Sequence, residues 1–217
     1  MNLNHLRGPQ WQRLVGEFLA PLLGGSPAAW AEANRVVVEE LLTSMWANPI
    51  ADYQAFREQE ARAWLLGMCG HVGVAAPPLD EILALHDRAT AWITPRVRSA
   101  APGAVAAIRT LHGRGHRLMT ASGEDSLSLA GYLEGMGVRA CFERLYGPDL
   151  INTTKHGPLY YRRVLQDAGV APAEALFVDD SRVAVGWIRD TGARAIHVGS
   201  DVAALAELPD YLLRLGP

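Results

Sequence analysis

Between Trp11 and Trp92 the apolar residues fall at intervals of three and four, as in Leu14, Phe18 and Leu22 and again in Val37, Leu41, Leu42 and Met45. That spacing marks one buried face of a helix. Asn48-Pro49, Gly70 and Ala76-Pro77-Pro78 punctuate the stretch, since proline and glycine interrupt a helical run. The pattern predicts helices near 10–23, 27–46, 51–69 and 79–92. The tryptophans and methionines of this region read as packing residues of its core.

Past Pro95 the texture changes. Short apolar runs at Arg117–Ala121, Cys141–Tyr146, Ala175–Val178 and Ala193–Val198 alternate with helical stretches at Pro102–His112, Ser126–Met136, Pro158–Ala168 and Arg182–Asp190. Four short strands joined by crossover helices predict a parallel sheet with helices on both faces. The expected division is a helical domain over residues 10–94 and an α/β domain over 95–217, with no repeat and no low-complexity segment.

Composition narrows the possible partners. The chain has 217 residues, 49% of them hydrophobic and 20% charged, which is ordinary for a folded globular protein. Its net charge of −3 and pI near 6.2 leave no broad basic field for a phosphate backbone, so nucleic acid is not an expected partner. No apolar run is long enough to span a membrane and the start is polar, without a secretory core, so the expected location is cytoplasmic. Cys69 and Cys141 are far apart and form no metal-ligand spacing, which excludes a disulfide framework.

In a parallel sheet of this kind ligands bind beyond the carboxyl ends of the strands. There the sequence places Ser122-Gly123 after one run, Lys155 after the next, and Asp179-Asp180-Ser181 after the third. A hydroxyl, an ammonium and two adjacent carboxylates on one rim could hold a phosphoryl group and a divalent cation together. Singly, Ser122 serves equally well as a helix cap, and Asp179-Asp180 as a strand-end cap. Two neighbouring carboxylates nevertheless repel unless a cation or an ammonium neutralises them. Lys155 is the single lysine beside nineteen arginines. A chain that uses arginine at every other basic position points to a site needing a compact point charge, as contact with a phosphate or carboxylate oxygen does.

The order Leu118-Met119-Thr120-Ala121-Ser122-Gly123, Lys155-His156-Gly157-Pro158-Leu159-Tyr160-Tyr161 and Leu176-Phe177-Val178-Asp179-Asp180-Ser181 resembles motifs II, III and IV of the haloacid dehalogenase-like hydrolases. Ala101-Pro102-Gly103, Gly113-Arg114-Gly115 and Thr191-Gly192-Ala193 resemble the turns that flank those motifs. The resemblance implies a three-layer, Rossmann-like α/β core with an α-helical cap. It further implies that Ser122 and Gly123 bind the substrate, that Lys155 neutralises a phosphoryl oxygen and steadies the nucleophile, and that Asp180, helped by Asp179, ligates Mg²⁺. The implied substrate is a small phosphorylated molecule. Gly123 and Ala184 depart from the family pattern, which often has an amide at the first position and an acid or amide at the second.

The larger departure is at the start. The family's first core strand ends in Asp-x-Asp-x-Thr and carries the nucleophile, whereas no aspartate precedes Asp52 and Met1–Gln10 contains no strand-like run. The first core strand is therefore expected to be missing, with its place between the strands that end at Ala121 and Val178. Three explanations are open: the remaining strands close up, a partner chain fills the slot in a dimer, or the reading frame begins upstream, which is the favoured explanation. Three functions follow: a Mg²⁺-dependent phosphatase inactive as written, an inactive binding protein, and a 2-haloacid dehalogenase.

Overall fold

The structure is a computed structural model, and it describes residues 3–44, 50 and 52–215. The chain forms two compact units, one of residues 2–99 with 127–136, the other of residue 1 with 100–126 and 137–217.

The first unit is built from α1 (Asn4–Leu23), α2 (Pro27–Ser44), α3 (Tyr53–Val72) and α4 (Ile82–Ile93). The break expected at Asn48-Pro49 and the end of the second helix at 46 lie outside the described residues. Leu14, Val15 and Leu19 of α1 bury against Trp30 and Val37 of α2, Trp64, Leu65 and Met68 of α3, and Ile82 and Leu85 of α4. Two indoles keep their N–H groups satisfied: Trp64 Nε1 donates to the buried Asn34 Oδ1 at 2.9 Å, and Trp30 Nε1 to the Gly24 carbonyl at 2.7 Å. Asp52 caps α3, accepting the amides of Gln54 and Ala55, and Gly73 ends it in the left-handed region at φ +77°.

The second unit runs α5 (Ala104–Gly113), β1 (Leu118–Ala121), the start of α6 (Ser126–Gly135), β2 (Phe142–Tyr146), α7 (Pro148–Ile151), α8 (Pro158–Ala168), β3 (Leu176–Asp179), α9 (Arg182–Arg189), β4 (Arg194–His197) and α10 (Leu208–Leu215). From Leu127 onward, α6 groups with the helical unit, so a single division near residue 95 does not describe the chain. Gly131 makes this possible, because a Cβ there would stand 1.8 Å from Thr94 Oγ1.

Strand alternation sorts the core of this unit into two faces. Met119, Ala121, Phe177 and Ala195 pack with Tyr160, Tyr161 and Val164 of α8 and Ile188 of α9. Leu118, Leu176, Val178 and Ile196 pack instead with Leu111 of α5 and Leu208 and Leu212 of α10. The result is the helix–sheet–helix layering of a Rossmann-like core.

The four strands do not form one continuous sheet. β1 pairs with β2 and β3 with β4, both parallel, as separate two-stranded sheets. Among the described residues no ladder joins β1 to β3. All residues of β1 and β3 are only partly buried, whereas Leu145 and Tyr146 of β2 and Ile196 and His197 of β4 are buried. Strands at the middle of a covered parallel sheet should be its most buried. Here the burial order is reversed, and the break lies between β1 and β3.

Candidate functional site

The expected site residues all belong to the α/β unit. Lys155 follows α7, and its Nζ donates to Asp179 Oδ2 at 2.6 Å, with the two side chains 22% and 8% exposed. Asp179 closes β3, and its other oxygen accepts the Ser181 amide at 2.9 Å. Ser181 then caps α9 by accepting the Ala184 amide at 3.3 Å. Asp180, between them, is exposed. Its carbonyl lies 3.1 Å from His197 Nε2, and among the described residues no partner holds its carboxylate.

At the end of β1, the Ser122 amide donates to the Tyr146 carbonyl at 3.1 Å and continues the β1–β2 pairing. Its hydroxyl oxygen accepts the Glu124 amide at 3.1 Å, a local turn and not a cap of α6. The first turn of α6 is held by Asp149, which accepts the Ser126 amide at 2.9 Å and also the Ser126 hydroxyl. Since a hydroxyl both accepts and donates, Ser122 keeps a proton to give. Gly123 is exposed, and a Cβ there would meet nothing within 4 Å.

Two adjacent tyrosines of α8 line the strand ends, and sequence reasoning gave neither a role. Tyr160 donates to the Ser122 carbonyl at 2.7 Å and to the Tyr146 carbonyl at 3.3 Å, and burial pushes its hydroxyl well above the usual range. Tyr161 meets Phe177 of β3 edge-on, with ring centroids 5.4 Å apart. Burial, and then the charge of Asp179, push its hydroxyl up. Alone among the described buried side-chain polar atoms, the Tyr161 hydroxyl has no hydrogen-bond partner. Both rings are fully buried, so to a pattern reader they are core.

The donor set sets limits on a metal. Asp179 is already neutralised by Lys155, and no group of three His, Cys, Asp or Glu residues gathers among the described residues. What remains is one open carboxylate beside one engaged one. Asp180, with Asp179 beside it, would offer a magnesium ion one or two oxygen ligands, and not a cage built by the protein alone.

The α/β unit is a Rossmann-like core with a hydroxyl, an ammonium and paired carboxylates near its strand ends. The family model for haloacid dehalogenase-like hydrolases matches residues 22–183, most of the chain, and the chain belongs to that family. Among solved structures it is similar to L-2-haloacid dehalogenase from Xanthobacter autotrophicus with chloropropionic acid covalently bound. The identity is 18%, coverage is 95% of this chain and 94% of that one, and the TM-score is 0.57. It is also similar to a HAD phosphatase from Thermococcus onnurineus, at 19% identity, 95% and 91% coverage and a TM-score of 0.54. A third is CbbY from Rhodobacter sphaeroides in complex with phosphate, at 19% identity, 82% and 89% coverage and a TM-score of 0.50. No curated protein matches. These likenesses establish the fold and leave the reaction to the site. No described helix is long and apolar enough to cross a membrane.

Proposed function

We propose that this hydrolase works on a small phosphate ester in the cytoplasm, with Mg²⁺ as cofactor. The observation that carries the reading is the state of the acidic pair: Asp179 is bound to Lys155 at 2.6 Å while Asp180 stays open beside it. Displacing a halide from carbon needs no cation-binding carboxylate, so the pair favours phosphoryl chemistry over dehalogenation. Mg²⁺, when bound, would be held by Asp180 and would offset charge on a phosphoryl oxygen.

The remaining steps belong to the chain. The Ser122 hydroxyl would donate to a phosphoryl oxygen, and the Lys155 ammonium would supply positive charge to it. Tyr160 fixes the Ser122 backbone through its 2.7 Å hydrogen bond, so the hydroxyl is presented without reorganisation. Asp179 is engaged by Lys155 and Ser181, and Asp149 by Ser126. The nucleophile is assigned to an Asp-x-Asp-x-Thr strand seated between β1 and β3, which residues 1–217 do not contain.

The test has two arms. Residues 1–217 should bind inorganic phosphate in calorimetry and hydrolyse p-nitrophenyl phosphate no faster than background, since loss of a nucleophile costs about a thousandfold or more. Robust Mg²⁺-dependent turnover abolished by Asp180→Asn would show the nucleophile to be misplaced. Release of chloride from 2-chloropropionate without metal would establish the dehalogenase reading.

A further inference from the structure

His197 ends β4, and its ring is buried, 8% exposed, beside the acidic turn. Both ring nitrogens are engaged: Nε2 lies 3.1 Å from the Asp180 carbonyl, and Nδ1 2.9 Å from the Ser200 hydroxyl. A carbonyl can only accept, so Nε2 carries a proton and donates it.

The histidine is itself held by the turn that follows it. Asp201 Oδ2 accepts the His197 amide at 2.9 Å, the His197 carbonyl accepts the Asp201 amide at 3.0 Å, and the Gly199 amide donates to Val202 at 2.7 Å. Gly199 sits at φ +119°, and a Cβ there would stand 3.2 Å from His197 Cε1. The seat of the ring therefore requires glycine.

From the side of the acidic turn, nearly every acceptor is taken. The Asp179 carbonyl accepts the Val198 amide at 2.9 Å, the Asp179 carboxylate takes Lys155 and Ser181, and the Asp180 carbonyl takes His197. What remains is the Asp180 carboxylate. Its direction depends on the peptide that carries it, and among the described residues the side chain gripping the carbonyl of that residue is His197.

We infer that His197 is a positioning residue. By clamping the Asp180 carbonyl from β4, it fixes how the open carboxylate leaves the strand end. Its importance for cation binding rests on the reading of Asp180 as the magnesium ligand; the clamp itself does not.

His197→Leu removes the donor at similar volume, and His197→Gln returns an amide donor near the place of Nε2. Ser200→Ala is a milder variant that frees Nδ1 if the leucine variant fails to fold. The experiment follows the Asp180 carboxyl carbon by NMR during MgCl₂ titration, and measures Ser181 amide exchange and melting temperature without metal. Wild type should respond at millimolar Mg²⁺. His197→Leu should weaken that response about tenfold, as loss of a residue supporting a metal ligand commonly does, and should speed Ser181 exchange. His197→Gln should restore both to within about twofold.

Wild-type Mg²⁺ affinity in His197→Leu would overturn the inference. So would equal weakening in His197→Leu and His197→Gln that tracks the loss in melting temperature, because that is general destabilisation. If wild type ignores Mg²⁺ altogether, the metal reading fails while the clamp is still decided by exchange. Faster Ser181 exchange rescued by glutamine supports it, and unchanged exchange overturns it.

Discussion

Replacing Lys155 by arginine keeps a positive charge near Asp179 but not the compact contact that now measures 2.6 Å. Lys155→Arg should therefore fold and melt close to wild type while losing most of its affinity for inorganic phosphate, measured by calorimetry. Lys155→Met removes the charge and leaves Asp179, 8% exposed, without its counter-ion; the expected loss is roughly 1 to 3 kcal/mol by denaturant titration. Tyr161 works in the other direction. Its buried hydroxyl has no partner, so Tyr161→Phe should stabilise the protein by about 1 kcal/mol in the same titration. A loss of stability would mean that water or another group satisfies the hydroxyl. Of these residues only Lys155 was legible in the sequence, because its rarity among basic residues is a property of composition. Tyr161 falls on the same buried helix face as Val164 and Leu165 and reads as core. His197 could not be found by pattern at all, since its partner is a backbone carbonyl and any residue type carries one.

Helices were read more closely than sheet pairing. Pro158–Ala168 forms as expected because proline suits the first helical position and Gly169, at φ +64°, stops the last turn. The strands were found within a residue or two, since alternation is local. Alternation does not record pairing, which is a long-range property; the gap between β1 and β3 came instead from the family resemblance, which puts a further strand between those ending at Ala121 and Val178. Within the helical unit, Gly131→Ala should cost about 1 to 3 kcal/mol by thermal melting, because its Cβ would displace Thr94. Arg57 of α3 is ion-paired with Asp87 of α4, whose neighbour His86 also contacts it. Burial alone would raise the Asp87 carboxyl, but the hydrogen bonds from His86 and Arg57 more than reverse this and hold it below its ordinary 3.8. A carboxyl lowered on folding adds stability that is present above its unfolded value and is lost as the pH falls through its folded one. Asp87→Asn should thus lower the stability near neutrality by less than about 1 kcal/mol, since the pair is partly exposed. The difference should shrink as the pH falls below the ordinary carboxyl value of 3.8, in melts run across the acid range.

At the scale of the α/β unit, the edges of β1 and β3 that carry no ladder among the described residues set the expectations. An apolar segment ending in Asp-x-Asp-x-Thr, joined ahead of Met1, is expected to pair with both edges, raise the melting temperature and confer Mg²⁺-dependent phosphatase activity. Each buried backbone group that gains a partner is worth roughly 1 to 3 kcal/mol. An extended protein that melts no higher would show that the slot does not take a strand. Unpaired strand edges also govern how molecules behave towards one another in solution. A row of free amides and carbonyls is a template for any neighbouring chain, and natural sheets usually blunt such edges with charge, proline or a covering segment. β1 and β3 offer Leu118, Met119, Thr120 and Ala121 and Leu176, Phe177 and Val178, with no charge before Asp179. Residues 1–217 should therefore associate reversibly as their concentration rises, through strand exchange at these edges, visible as a drifting sedimentation coefficient. The extended protein should sediment as a single species over the same range.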